Sequence, residues 1–360
     1  MRIKSVALAT VFALLLCLCA CAAPVKYDTG TETKSFTDSA GREVLVPSVV
    51  TRVAPSGSVA TMILATLCPE FMVSVSATPS SAQLKYLPRS LFELPTTGQM
   101  YGSRSTINLE SLLKAEPQII IDLGDRKDGI GSDMDNLQKT TGIATVFLEA
   151  DLPHIAEAYR KMGALFELEE RANAIADFID ETMDMAAENS GEIAENERKT
   201  VMYTSGTSGL ATNAYGSTQA QVLELVGARN AVVVEEISHA GGGNIISLEQ
   251  LYNFDPEIIL FSGGSIYGTV SQTSSWQDLS AIKNNTYYEI PTGPYNWMSS
   301  PPSINMVLGV WWLGNLLYPE IYDYDMVKVS QRIYKLFWDY ELSTDEAAEM
   351  LAASTLKAAA

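Results

Sequence analysis

One helix-and-strand pattern occurs twice in this 360-residue chain, and it limits the folds that the chain can adopt. In residues 107–124 and again in 246–264, an amphipathic segment stops at a proline, Pro117 or Pro256, and a short apolar run ending in glycine follows. Proline ends helices, and a run rich in β-branched residues is typical of a buried parallel strand. The repetition therefore predicts two α/β lobes built on one plan, in the manner of Rossmann-like layers.

Short apolar segments alternate with amphipathic ones through the rest of both halves. We expect a first lobe at 38–150, a second at 199–342 and a helical tail at 343–360. Predicted helices include INLESLLKAEP, with Asn108 as its cap, and an almost wholly apolar one, SINMVLGVWWLGNLLYP, opened by Ser300 and Pro301. The predicted strands are VTRVAPSGS, FMVSVSAT, QIIIDLG, IATVFLEA, KTVMYTSG and EIILFSGG.

The segment between the lobes, 151–190, has apolar residues at helical spacing and no proline after Pro153. It predicts one or two helices ending near Asn189 to Gly191. A long, rigid helix here joins the lobes as a spine and limits how far they can move apart.

The first twenty residues predict export. Arg2 and Lys4 precede a short apolar run, and small residues follow it, as in a signal peptide. Leu18 to Cys21 resembles a bacterial lipobox, which predicts lipidation of Cys21 and a polar tether over 21–37. Cys17 and Cys19 are competing acceptors, and a plain secretory signal is the alternative. The predicted location is outside the cell, lipid-anchored at the outer face of the cytoplasmic membrane, or periplasmic.

Composition and missing motifs exclude several classes of function. With 24 basic and 43 acidic side chains the chain has a net charge of −19, which excludes nucleic acid as a partner. Four cysteines without CxxC spacing and only two histidines, His154 and His239, exclude a structural zinc site or a multi-histidine metal centre. No nucleophile elbow, metalloprotease or phosphate-loop motif occurs, so we expect neither an enzyme nor a resident cofactor.

Three loops remain as candidate binding segments. YTSGTSG, at Tyr203 to Gly209, follows a predicted strand, and HAGGGN, at His239 to Asn244, has glycines that allow a close backbone approach to a ligand. In PTGPYNWMSSPPS, Trp297 either fills the core beneath the loop or forms a wall of an aromatic-lined cleft.

The order of these features resembles the ABC-importer substrate-binding proteins for iron-siderophores, haem and cobalamin, over about residues 38–340. The resemblance rests on the lipobox, the paired LESLLKAEPQIIID and LEQLYNFDPEIILF segments, the lead-in SFTDSAGREVLVP, the helix STQAQVLELVGARNAV and the closing WWLGNLLYPEIYDYD. It implies a monomer with its ligand in a cleft between the lobes. It also implies delivery of an iron chelate, haem or a corrinoid to an ABC permease and its ATPase.

Site residues carried over from the resemblance, or placed in the same loops, are as follows: Ser56, Met100, Tyr101, Arg104, Arg126, Ser205, Tyr215, His239, Asn244 and Trp297. Met100 and His239 form a tentative axial pair for haem, and Glu224 is the expected acid for docking on the permease from the second lobe. The arginines could instead hold a small oxyanion such as molybdate. An extracellular sensor without transport remains a further alternative.

Overall fold

A computed structural model describes residues 32–100, 105–238, 243–299 and 301–357. Contacts divide the chain into Met1–Thr31 and one compact body, Glu32–Ala360. The predicted signal peptide and most of the tether therefore lie outside the described residues. Among the residues described, no helix is both long enough and apolar enough to cross a membrane.

The first lobe is built on a three-stranded parallel sheet in the order β3-β4-β5. Its central strand, the predicted QIIIDLG segment, is buried along nearly its whole length. Beside this sheet lies an antiparallel hairpin of β1 and β2. The strands are β1 (Thr33–Thr37), β2 (Glu43–Pro47), β3 (Val53–Pro55), β4 (Ile119–Gly124) and β5 (Ala144–Glu149).

The helices of this lobe follow its strands. The prediction of a strand at FMVSVSAT is wrong. Only isolated bridges form there, from Met72 to Val53 and from Val75 to Thr96. The helices are α1 (Ser58–Leu67), α2 (Ser90–Glu93), α3 (Leu109–Lys114) and α4 (Ile130–Thr141), with 3-10 turns at Pro69–Phe71 and Gln83–Lys85.

The second lobe has a six-stranded mixed sheet in the order β11-β10-β6-β7-β9, with β8 paired to β6. The parallel strands β6, β10 and β11 form its core, while β7 and β9 add antiparallel pairs at one side. The strands are β6 (Thr200–Ser205), β7 (Ala211–Thr212), β8 (Arg229–Asn230), β9 (Asn244–Ile245), β10 (Ile258–Phe261) and β11 (Tyr287–Glu289).

The repeated pattern has the same structure in both lobes. The Asn108 side chain caps α3 by accepting the Ser111 N–H, and the Ser247 side chain caps the equivalent helix through Gln250. Each repeat then turns, before its proline, at an acidic residue with positive φ, Glu116 (47°) or Asp255 (30°). Each helix leads into a parallel strand, so its amino end lies near the carboxyl edge of that sheet.

Two helices, α5 and α6, occupy the predicted spine segment. Glu167 has a left-handed conformation between them, and α5 packs back on α6 where Gly163 meets Ala172. Only α6 is long: its 24 residues span about 36 Å at 1.5 Å per residue. Trp311 donates from its indole nitrogen to the Thr182 hydroxyl of α6 at 2.8 Å. These helices are α5 (Ile155–Phe166) and α6 (Glu169–Glu192).

The apolar helix predicted near residue 300 is buried almost all round, as expected, but it begins at Asn305. The predicted helical tail also forms, with Ser343 and Glu346 as a capping box. The remaining helices are α7 (Gln221–Leu225), α8 (Leu248–Phe254), α9 (Ser280–Lys283), α10 (Asn305–Leu317), α11 (Met326–Trp338) and α12 (Thr344–Ala353), with 3-10 segments at Thr218–Ala220 and Tyr267–Gln272.

Candidate functional site

The carboxyl ends of β3 and β4 and the amino end of α1 surround a cavity of about 160 Å³. Ser56 follows β3, is almost fully buried and donates its hydroxyl to the Asp122 carboxylate in β4. Its carbonyl accepts the Met100 N–H at 2.9 Å, which fixes the start of the loop after residue 98. The local sequence APSGS thus places a strand end, a hydroxyl and a helix start at one point.

Helix α1 starts at this cavity without a side-chain cap. Gly57 precedes it, no acidic residue lies in its first turn, and Ser58 is exposed there. The first N–H groups of a helix have no partners within the helix, and the helix dipole makes this end positive. Gln99 covers Gly57 so closely that an added Cβ would lie 2.4 Å from its side-chain oxygen. A side chain at position 57 would therefore have to displace the Gln99 amide.

The second lobe contributes to the same region. Pro302 lines the cavity together with Asp125 and Lys127 of the loop after β4. Asp125 accepts a hydrogen bond from the Thr218 hydroxyl at 2.9 Å, and this bond joins the two lobes directly. The cavity is therefore part of a cleft between the lobes.

A second cavity, of about 580 Å³, lies where the loops after β10 and β11 meet Tyr86 of the first lobe and α12. Its charged groups are mostly acidic: Glu289, Glu346 and Glu349 line it together with Lys85. Lys85 binds Glu346 at 2.7 Å and, with the cap of α12, lowers the pKa of that carboxyl to about 2. Burial raises the pKa of Glu289 above its ordinary value.

The structure brings only some of the predicted site residues to the cleft. Ser56 lines the cavity, and Tyr215 is exposed in the second lobe. Ser205 ends β6 and donates weakly to the Ala211 carbonyl at 3.4 Å. The Asn244 side chain is engaged in its own loop, through the Glu236 carbonyl and the Ser238 N–H. Tyr101, Arg104 and His239 lie outside the described residues.

Three other predicted site residues do not line the 160 Å³ cavity. Trp297 is fully buried in the main core, so it fills space beneath its loop and forms no cleft wall. Met100 is also buried, in a small apolar cluster with Leu112 and Ile120, which argues against its thioether as a haem ligand. Arg126 donates to the Ser39 carbonyl at 3.0 Å and lies 3.9 Å from Glu149, outside the residues that line the 160 Å³ cavity.

The expected docking acid is also engaged. Glu224 is half-buried and accepts the Gly216 N–H at 2.9 Å. Sequence reasoning missed Lys127, Thr218 and Pro302, all of which lie at the cleft. Lys127 had a usable signal, since it is a basic residue in the loop after a buried strand of an acidic chain.

Comparison with known proteins agrees with this architecture. The family model described as periplasmic binding protein matches residues 53–293. A search of curated proteins finds no match. Among solved structures, an ABC transporter solute binding protein from Sulfurospirillum deleyianum is 27% identical, with a TM-score of 0.80, and the match covers 88% of this chain and 98% of that one.

Two more distant structures share the fold. The molybdate periplasmic binding protein MolA of Haemophilus influenzae, bound to molybdate, is 17% identical, with a TM-score of 0.70 and coverage of 86% and 99%. CeuE of Helicobacter pylori, in a complex with nickel and histidine, is 17% identical, with a TM-score of 0.66 and coverage of 88% and 98%.

The matched region includes both lobes and the spine, which confirms the predicted two-lobe α/β fold and the predicted resemblance. It also confirms that the chain is a binding protein and not an enzyme. The chain belongs to the periplasmic binding protein family, the extracytoplasmic solute-binding proteins of ABC transporters.

Proposed function

We propose that the chain binds an anionic, metal-containing solute in the cleft between its lobes and delivers it to an ABC permease and its ATPase. The observation that carries this proposal is the uncapped amino end of α1 at the 160 Å³ cavity. Helix amino ends bind anions because their N–H groups and dipole point at the ligand. Lys127 adds a positive charge to the same wall.

The volume of this cavity favours some ligand classes over others. Sites for drug-sized ligands measure about 300–1,000 Å³, and this cavity measures about 160 Å³. A small oxyanion fits inside it, whereas a ferric chelate fits only through one anionic group. Haem and corrinoids rank lower, because Met100 is buried and Trp297 lies in the core. The molybdate bound to MolA supports the first choice. An iron chelate remains the second.

Two carboxylates at the cavity also influence the choice of ligand. Asp122 accepts the Ser56 hydroxyl and Asp125 accepts the Thr218 hydroxyl, so each has a donor of its own. Their charges still repel an anion, and this repulsion favours a ligand that sits at α1 and Lys127 rather than against β4.

Calorimetric titration of the purified protein tests the proposal. Molybdate and tungstate form one set of ligands, with sulfate as their metal-free control; a ferric hydroxamate, a ferric catecholate, haem and cobalamin form the other. Saturable binding of molybdate or tungstate supports the first choice, and binding of a ferric chelate alone moves the assignment to the second. Failure of every ligand would contradict the proposal.

Substitution of Ser58 locates the binding site. An acidic side chain in a first turn stabilises a helix but repels an anion bound at its end. We therefore expect Ser58→Asp to keep or raise thermal stability while weakening anion binding about tenfold or more, which corresponds to about 1.4 kcal/mol. Ser58→Asn is the matched control without the charge and should bind like the wild type. Equal binding by Ser58→Asp would place the anion elsewhere.

Docking on a permease is proposed at the two repeated helices. Glu110 in α3 and Glu249 in α8 occupy equivalent first-turn positions, and both are exposed. Because both helices begin near the carboxyl edges of their sheets, these acids stand on the two sides of the cleft. They suit docking better than the half-buried Glu224. In an import assay with the permease, Glu110→Lys and Glu249→Lys should each reduce uptake without changing solute affinity, whereas Glu224→Gln should not reduce it.

Anchoring through lipid on Cys21 remains a proposal, supported by the lipobox-like Leu18 to Cys21 segment. Mass spectrometry of the membrane fraction should find a diacylglyceryl group on Cys21, and Cys21→Ser should release the protein. Retention of that variant would implicate Cys17 or Cys19, or another means of attachment.

Reconstitution with the permease separates transport from the sensor alternative. Solute binding without stimulation of the ATPase would favour a sensor.

A further inference from the structure

We propose a second, separate site on the first lobe that binds a divalent transition-metal ion of the zinc type, held by Glu149, Asp151 and His154. The three side chains offer two carboxylate oxygens and one imidazole nitrogen, and these atoms all lie within 4.8 Å of one another. Zinc binds both imidazole nitrogen and carboxylate oxygen, and three protein ligands leave a position open for water.

The backbone holds the three donors in place before any ion binds. Glu149 is the last residue of β5, and a tight turn brings His154 to the start of α5. In that turn the His154 N–H donates to the Asp151 carboxylate at 3.2 Å, and the imidazole Nδ1 contacts the same carboxylate oxygen. The Nδ1 atom lies 4.0 Å from Glu149. Small side-chain movements therefore suffice to place all three around one ion.

The surroundings leave room for the remaining ligands of an ion. Two of the three donors, Glu149 and His154, border a cavity of about 340 Å³, so water can complete the coordination. Glu149 and Asp151 are about one-fifth exposed, whereas the imidazole is half exposed. Two cations border the same cavity: Arg126, 3.9 Å from Glu149, and Lys161. Both lower the affinity, and Arg126 is the competitor that an ion must displace from Glu149.

This site differs from the cleft in chemistry and position. It lies among Ser39, Arg126 and α5, and none of its three donors lines the 160 Å³ cavity. Metal binding here is therefore independent of the solute and can be measured without it.

The experiment titrates tag-free protein with ZnCl₂ by calorimetry and with CoCl₂ by visible absorption. We expect one equivalent of zinc to bind, with a cobalt d–d band from the same site. His154→Ala and Glu149→Gln should each weaken zinc binding at least tenfold and remove the band. Glu157→Gln is the matched control, because Glu157 borders the same cavity but is outside the donor set; it should bind like the wild type.

Circular dichroism melts check that each variant is folded, and the exposed position of His154 makes a folded alanine variant the expected result. Absence of stoichiometric zinc binding in the wild type would overturn the proposal. So would wild-type affinity in both His154→Ala and Glu149→Gln. If zinc binding is lost in His239→Ala but kept in His154→Ala, the ion binds at the loop of His239, and the proposed site is wrong.

Discussion

Replacement of Trp297 distinguishes a core residue from a ligand contact. The side chain is fully buried within the main core. Its loop cannot move inward, because an added Cβ at Gly309 of α10 would lie 2.5 Å from the Trp297 carbonyl oxygen. A large-to-small change at a site that cannot collapse falls near the upper part of the range for Trp→Ala, about 3–5 kcal/mol. We expect Trp297→Ala to lower the free energy of unfolding by about 4 kcal/mol.

The effect on melting follows from the size of the body. For the roughly 330 residues of Glu32–Ala360, an unfolding entropy of about 2.1 cal/mol/K per residue converts 4 kcal/mol into a decrease of about 6 °C in Tm. Trp297→Phe keeps an aromatic ring and should cost only about 1–2 kcal/mol. The folded fraction of either variant should bind the solute as the wild type does.

Urea titration followed by circular dichroism measures these stabilities, and calorimetry below the transition measures binding. The opposite pattern would refute the reasoning: a loss of unfolding free energy below about 1 kcal/mol, combined with loss of binding, would show that the ring contacts the ligand.

Two further predictions concern contacts that the first lobe makes with the second lobe and with the helical tail. The pKa of Glu346 is lowered to about 2, first by Lys85 and then by the cap of α12. The ionised carboxylate therefore contributes to folding stability fully above its ordinary pKa of 4.5, and this contribution is lost as pH falls toward 2. Hydrogen exchange in α12 should therefore accelerate as pH falls through this range, beyond the intrinsic change, and Glu346→Gln should remove that dependence; an equal dependence in both proteins would contradict it. Thr218→Val removes the 2.9 Å bond to Asp125, worth about 1 kcal/mol, and stopped-flow measurements should show the solute leaving about fivefold faster; an unchanged rate would mean that the bond is absent when solute is bound.

Helices and strands that are determined by residues near them in the sequence were predictable. The α3–β4 and α8–β10 units each have a capping side chain, a proline and a run of buried apolar residues within about fifteen positions, so their local signals agree. The segment FMVSVSAT lacks that agreement. Its alternating pattern suits a strand, yet Met72 and Val75 form only isolated bridges, because β3 and the residues near Thr96 meet it at single points. Strand pairing depends on distant partners that a local pattern does not encode.

The cleft was predictable in position but not in its contacts. Ser56 was identified because the family resemblance implied that its strand-end loop contacts the ligand, in keeping with the usual binding edge of α/β lobes. The sequence left the environments of Trp297 and Met100 undecided for a shared reason: a large apolar side chain in a loop suits either a core or a ligand wall, and only tertiary packing distinguishes these environments. The position of Arg126 could not be predicted from the sequence, because Ser39 and Glu149, its partners, come from other elements of the same lobe.

The two lobes share a scaffold but diverge immediately after the repeated strand, and this divergence bears on ligand choice. After β4 the chain continues with Asp125, Arg126 and Lys127, whereas after β10 it continues with Ser262, Gly263 and Gly264. Asp125 and Lys127 therefore bring charge to the cleft from the first lobe, while the matching loop of the second lobe carries a hydroxyl and open backbone. A symmetric scaffold with one charged wall suits a ligand that has one strongly charged side. Exchanging these two loops should consequently abolish solute binding even though both lobes keep their fold.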